Sequence, residues 1–190
     1  MYYCLACIKY RAGDLRQVAH DHAFAQRTGP WFTGQPLTVE VPQPLEFELD
    51  PMVPGEMPVF FDLADIPLMR ADFLDKLVEL GVDNIDAYDA IVRDPETGQL
   101  WTDYKAVNII GLISATDLGK SAYVPTDTPI IDVLFDTMVI DETRTGGALL
   151  FRLAENLNAI LAHGRLRDAL RPERLRFPHL TWIKPEEWAG

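Results

Sequence analysis

Apolar and polar positions alternate along PLTVEVPQPLEFELD: Leu37, Val39 and Val41, then Leu45, Phe47 and Leu49, share one side, with Glu46, Glu48 and Asp50 on the other. A period of two predicts half-exposed strands, and the prolines divide the stretch into two short strands or one extended edge segment. YYCLACIK, PVFFDLA, IIDVLFDTMVID and GALLFRLA read as further strands, and residues 14–28 as a helix or a loop. DFLDKLVEL changes period: Phe73, Leu77 and Leu80 lie near one helical face beside Leu74 and Val78, and Gly81 is a plausible stop. NIDAYDAIV, DPETG and QLWTDYKAVNIIGLI read as a hairpin whose turn residues suit such loops.

The segment LFRLAENLNAILAHGRLRDAL needs phasing. At 100° per residue, Leu157, Ile160 and Leu161 fall on one side and Leu166 and Leu170 roughly opposite. A single helix over 157–170 would have no single apolar face. A break near His163–Gly164 is expected instead, followed by a helix over 164–171 that Pro172 helps to end, with LRFPHLTWI returning as a strand. The same order occurs earlier in the chain. Leu68, Phe73 and Leu77 match Leu161, Leu166 and Leu170 at a constant offset of 93, and after a small deletion Ile85 and Ala87 match Leu175 and Phe177. This is a weak internal strand–helix–strand duplication, in which Arg70 and His163 hold equivalent places.

The expected fold class is therefore α+β, with mainly antiparallel sheet and a few short helices. Residues 1–54 are expected to supply strands and a loop packed on a main domain of residues 55–190, the whole forming one unit. Hydrophobic residues make up 48% of the 190, enough for a real core and against disorder. No stretch reaches the roughly 18–20 apolar residues of a membrane span, and MYYCLACIKY lacks the features of a secretion signal, so a cytoplasmic location is expected. Cys4 and Cys7 form a lone C-x-x-C. Three residues apart on a strand they face opposite ways, which favours packing over a shared metal or disulfide.

Charge is unevenly spread. Residues 40–142 carry 22 acids and five bases, whereas seven arginines fall between 144 and 176 within an overall net charge of −12. A field of that sign repels nucleic acid and anionic membrane and attracts a basic partner. Solubility and pairing of the acids with the C-terminal arginines would also account for it.

Catalytic patterns are sparse. SATDLGKS, residues 114–121, ends like a phosphate-binding loop but has Ser114 where the first glycine belongs, and Asp117 would face the phosphate. A small phosphate- or nucleotide-handling enzyme using Lys120 and Ser121 is the alternative reading; a turn with Lys120 in solvent is favoured. His20 and His22 could share a strand face as metal ligands, but no third ligand is identifiable. His179 reads as edge-strand packing. Glu155 and Asn156 suit a cap or turn, and Arg152 could pair with an acid. The tryptophans Trp31, Trp101, Trp182 and Trp188 suit a core, or else an interface.

LFRLAENLNAILAHGRLRDAL, continued by Leu175 and Phe177, resembles the C-terminal hallmark of bacterial immunity protein family 11, formerly a domain of unknown function. Tyr104, Asn108, Asp117 and Ser121 resemble its upstream stretch, and the likeness runs between residues 55 and 180. The family's helix-start serine is replaced here by His163, which predicts loss of an N-cap hydrogen bond costing about 1 kcal/mol. The resemblance implies a small α+β protein, not an enzyme, that binds and blocks a cognate secreted toxin of interbacterial competition, such as one delivered by type VI secretion. The associated toxins are commonly DNases of the HNH type. It implies no catalytic residue, cofactor or metal. The expected partner is thus a basic nuclease domain, met directly by protein rather than through nucleic acid or membrane. The acids of GVDNIDAYDAIVRDPE, namely Asp83, Asp86, Asp89, Asp94 and Glu96, with Tyr88 as an aromatic anchor, are the expected contact.

Overall fold

The duplicated pattern builds two five-stranded sheets facing a shared apolar interior. The computed structural model describes residues 1–8, 15–21, 24, 29, 31–62, 64, 66–124 and 133–188. The strands are β1 (Tyr2–Cys7), β2 (Leu45–Glu48), β3 (Phe60–Phe61), β4 (Leu68–Arg70), β5 (Ile85–Arg93), β6 (Leu100–Ile109), β7 (Leu112–Ile113), β8 (Ala122–Tyr123), β9 (Phe135–Thr137), β10 (Leu150–Leu153), β11 (Ile160–His163) and β12 (Leu180–Ile183). Two α-helices stand among the described residues, α1 (Ala71–Glu79) and α2 (Gly164–Leu170). The first sheet has the order β2-β5-β6-β4-β3 and the second β12-β1-β11-β10-β7; β8 and β9 pair separately. Only β2 with β5 and β7 with β10 run parallel. This is an α+β architecture with mostly antiparallel pairing. The expected 14–28 element, His22 and residues 130–132 of IIDVLFDTMVID lie wholly or partly outside the described residues.

The offset of 93 is a real equivalence in three dimensions. Leu68 and Leu161 lie on β4 and β11, each an inner strand followed at once by a helix. Arg70 and His163 both sit in extended backbone at the helix starts, with φ/ψ of −63/136° and −67/143°. Phe73, Leu77, Leu166 and Leu170 point from the two helices into one central core, with Met69 and Ala162 from the strands. Their sequence neighbours Leu68 and Leu161 face outward into two separate cores. Alternation along each strand thus feeds two different interiors, which is why both strands lack a polar face.

The second half is completed by the N-terminus. In the first sheet β4 pairs with β6, and β6 with β5. In the second, β11 pairs with β1, and β1 with β12, all antiparallel as in the first. β1 therefore does for the second half what β6 does for the first, and all six of its residues are buried. The boundary expected after residue 54 is crossed by both of β1's ladders.

Three expectations differ in detail. QLWTDYKAVNIIGLI is not one strand: Gly111, at φ 111°, lets the chain leave β6 and join the second sheet as β7. LRFPHLTWI does not start its strand at Leu175, which is 90% exposed. A 3-10 turn over Arg171–Glu173, Pro178 without an N–H, and His179 at φ 64° delay the strand to Leu180. The match of Leu175 to Ile85 is therefore lost, although Phe177 is buried in the central core. Finally, His179 is not strand packing; its Nε2 lies 3.1 Å from the Glu56 carboxylate.

The burial pattern makes a contrast measurable. Leu166→Ala should lower the unfolding free energy by about 2–5 kcal/mol, through lost transfer energy and an incompletely closed cavity. Leu175→Ser should change it by no more than about 0.5 kcal/mol. Urea unfolding of the two variants checks the assignment of α2, and equal losses would contradict it.

Candidate functional site

Two groups of polar residues compete for a functional role. The first follows β10. Glu155 is only 5% exposed; its carboxylate accepts hydrogen bonds from the Ser114 and Thr116 hydroxyls, the latter at 3.2 Å. The Glu155 carbonyl accepts the Val133 N–H at 2.8 Å. Asn156 donates from Nδ2 to the Val133 carbonyl at 3.1 Å, and its Oδ1 accepts the Asn158 N–H at 2.9 Å. These bonds stitch the β10–β11 turn to the segments at 114–116 and 133. They satisfy the turn's buried backbone, as a polar turn inside a protein requires.

Arg152 is 1% exposed and has no carboxylate partner among the described residues, contrary to the acid pairing expected for it. Nη1 donates to the Leu157 carbonyl, the guanidinium lies 4.7 Å from the Phe32 ring centre, and Nε and Nη2 have no hydrogen-bond partner among the described residues. Burial pushes its pKa down to about 10. His163 caps α2: Nδ1 accepts the Arg165 N–H at 3.1 Å, so the capping bond expected to be lost with serine is kept. Arg70 makes no such cap and instead holds Asp72 at 2.6 Å.

The upstream residues of the family likeness are equally committed to architecture. The Tyr104 hydroxyl donates to the Pro58 carbonyl at 2.5 Å, and Asn108 Nδ2 to the Gln35 carbonyl at 2.8 Å. The 114–121 loop closes on itself. Lys120 binds the Asp117 carboxylate at 2.7 Å, the Ser121 hydroxyl donates to the Asp117 carbonyl at 2.8 Å, and the amides of Lys120 and Ser121 do so at 3.0 Å. The groups a phosphate would need are thus turned inward to the loop or paired. Cys4 and Cys7 are buried free thiols on opposite faces; burial raises both pKa values, that of Cys7 to about 11. All four tryptophans pack against one of the cores. His20 is exposed, and among the described residues no three His, Cys, Asp or Glu side chains converge as a metal set.

The second group is the acidic one, which the structure divides. Tyr88 packs on an outer core against Trp31, with ring centres 5.4 Å apart, so it is a half-buried core residue rather than a free anchor. Asp86, two residues earlier, shares its face. Asp89 points from the opposite face and pairs with Lys105. Asp83 is exposed in the α1–β5 link. Asp94 is 5% exposed; it accepts the Glu96 and Thr97 amides at 2.9 and 3.3 Å and pairs with Arg16 at 3.1 Å. These bonds hold its carboxyl below the usual range and remove it from any contact surface. Glu96 is exposed in that same turn.

Asp89 instead shares a sheet face with residues that sequence reasoning left aside. β2 lies parallel to β5 with Glu46 opposite Ile91 and Glu48 opposite Arg93. Beside them a groove of about 520 Å³ is lined by Glu46, Phe47, Glu48, Ile91, Arg93 and Leu100, and Leu100 is 56% exposed. The alternation of PLEFELD marked an edge strand, but nothing in it named β5 as its neighbour. No known protein-family model matches the chain, and no curated protein matches it.

The cap on α2 is pH-sensitive. Burial and the N-terminal ammonium lower the His163 pKa below its ordinary 6.5. The neutral ring, favoured in the fold, supplies stability that is full above pH 6.5 and is lost as pH falls through the lowered value. His163→Asn keeps a cap without titrating. The stability difference between the native chain and this variant should shift against the native chain between pH 7.5 and 5, measured by urea unfolding at each pH. A pH-independent difference would contradict the capping role.

Proposed function

We propose that the chain is an immunity-type binding protein that neutralises a cognate secreted toxin inside the producing cell's cytoplasm, the toxin being a basic, HNH-like DNase. The observation that carries this reading is the acid-rimmed groove on the first sheet, where Glu46 and Glu48 stand beside Arg93 and the exposed Leu100. A nuclease needs a basic surface to hold phosphates. Carboxylates on a partner can cover such a surface, speeding encounter by long-range attraction, while an apolar residue at the centre supplies contact that survives salt. The resemblance of residues 150–177 to the immunity family supports the same reading. So does the internal use of Arg152, Glu155 and Asn156, which leaves the exterior as the place for function. No helix among the described residues is long and apolar enough to cross a membrane.

The test is a binding titration with the toxin domain encoded beside this gene, across a salt series. Affinity should fall as salt rises. Glu46→Lys with Glu48→Lys should slow association by about tenfold at low salt, as reversal of steering charges does. Asp86→Lys, on the opposite face, should have a much smaller effect. Absence of any complex would overturn the reading, whereas a complex indifferent to the two reversals would overturn only the groove as its contact.

A further inference from the structure

The internal repeat exposes an asymmetry between the two sheets. Superposing their topologies makes β5 equivalent to β12, β6 to β1, β4 to β11 and β3 to β10. On the outer edge of β5 lies β2, whose sequence Leu45-Glu46-Phe47-Glu48 alternates apolar residues with acids. On the outer edge of β12 no strand lies among the described residues. Among the described residues, the second half thus presents as a free edge the position that the first half fills with an acidic strand.

That edge is ready to pair. The Ile8 N–H donates to the His179 carbonyl at 2.9 Å, and β1 and β12 continue antiparallel from there. Bonded pairs alternate in such a ladder, so Thr181 and Ile183 turn their backbone groups towards β1, while Leu180 and Trp182 turn theirs outward. An unpaired edge of this kind is a template for another strand unless it is blunted. Here there is no proline, bulge or lysine within Leu180–Ile183 to blunt it.

The surface beside the edge has a definite sign. A groove of about 450 Å³ between α2 and β12 is lined by Arg167, Leu170, Arg171, Arg174, Phe177 and Trp182. Arg167 is held by Asp168 and lies over the Tyr3 ring. Arg171 and Arg174 are exposed and make no ion pair among the described residues, although the chain carries 29 acids. Two free guanidiniums above an aromatic floor, in a protein of net charge −12, mark a place for external carboxylates.

We propose that the β12 edge and its arginine groove bind an extended acidic segment of another polypeptide, added to the second sheet as a sixth strand. Its main chain pairs with the outward N–H and C=O groups of Leu180 and Trp182. Acids at alternate positions reach Arg171 and Arg174, and the residue between them faces away, as Phe47 does from Glu46 and Glu48 in β2. This is strand addition with backbone pairing for affinity and alternate side chains for selectivity. The surface is separate from the acid-rimmed groove and independent of the toxin reading.

The test uses the full chain and a synthetic peptide of residues 44–50, Pro-Leu-Glu-Phe-Glu-Leu-Asp, which covers the equivalent edge. Residue-resolved amide exchange should show Leu180 and Trp182 slowed by the peptide. The same peptide with Glu46→Lys, Glu48→Lys and Asp50→Lys should protect neither. Arg171→Glu with Arg174→Glu in the protein should weaken the acidic peptide about fivefold or more at low salt, an effect of the size expected for two exposed charge pairs. Both arginines are exposed, so unchanged thermal unfolding of the variant serves as the folding control; Arg171→Gln with Arg174→Gln should give a smaller loss. No binding, binding without protection of Trp182, or equal protection by the lysine peptide would overturn the proposal. So would sedimentation showing a dimer of this chain whose Trp182 amide is already protected without peptide.

Discussion

The pairing of β1 between β11 and β12 is the constraint on which the second half depends. A strand from residues 2–7 completes a sheet whose other strands, β7 apart, come from residues 150–183, so the two ends of the chain must meet before the second sheet exists. Its side chains serve two interiors at once: Leu5 and Cys7 enter the central core, Tyr2 and Cys4 an outer one. Contacts of such sequence separation are costly in chain entropy and form late in folding. The first half, by contrast, closes through the local β5–β6 hairpin. One repeat is folded by neighbours and the other by distant partners, although the finished halves share a topology.

The central core explains why the two helices are so short. Each needs only enough length to place its buried residues, Phe73, Leu74 and Leu77 in one and Leu166 and Leu170 in the other, into a space already walled by two sheets. Isolated helices of this length are unstable in water, so tertiary burial must hold them. The same core ties charge to architecture. Arg70 and Arg176 both grip Asp72 and lie against the Phe177 ring, joining α1 to the segment after α2. Part of the C-terminal arginine excess is thereby spent on internal pairing, whereas Arg165, Arg171 and Arg174 are exposed and make no ion pair among the described residues.

Much of the scaffold was legible from periodicity. The offset of 93, the break at His163–Gly164 and the β5–β6 hairpin each rest on a local pattern: spacing of leucines, a phase conflict, or turn residues. What was not legible depended on distant chain. That β1 sits mid-sheet cannot be read from YYCLACIK, and Leu175 fits an apolar alternation until a 3-10 turn and a left-handed His179 move the strand. The candidate contact suffered for a related reason. Acids clustered in sequence, Asp86, Asp89 and Asp94, separate in space because a strand alternates and a turn buries its own cap. Glu46 and Glu48 join Asp89's face only through the parallel pairing of β2. A histidine in place of a cap serine suggests a lost cap, yet an imidazole nitrogen accepts the same amide that serine would.

The claim most exposed to test is that the polar residues after β10 are structural, with function carried by the outer surface. Glu155→Ala addresses it, since it strands the buried Thr116 hydroxyl and removes the Ser114 contact without touching any exposed groove. Measuring both unfolding free energy and affinity for the proposed toxin partner in one variant separates the alternatives. A stability loss of about 1–3 kcal/mol is expected, as for an unpaired buried polar group, with affinity of the folded protein unchanged. Unaltered stability together with abolished toxin neutralisation, or with loss of a chemical activity of the chain itself, would contradict it.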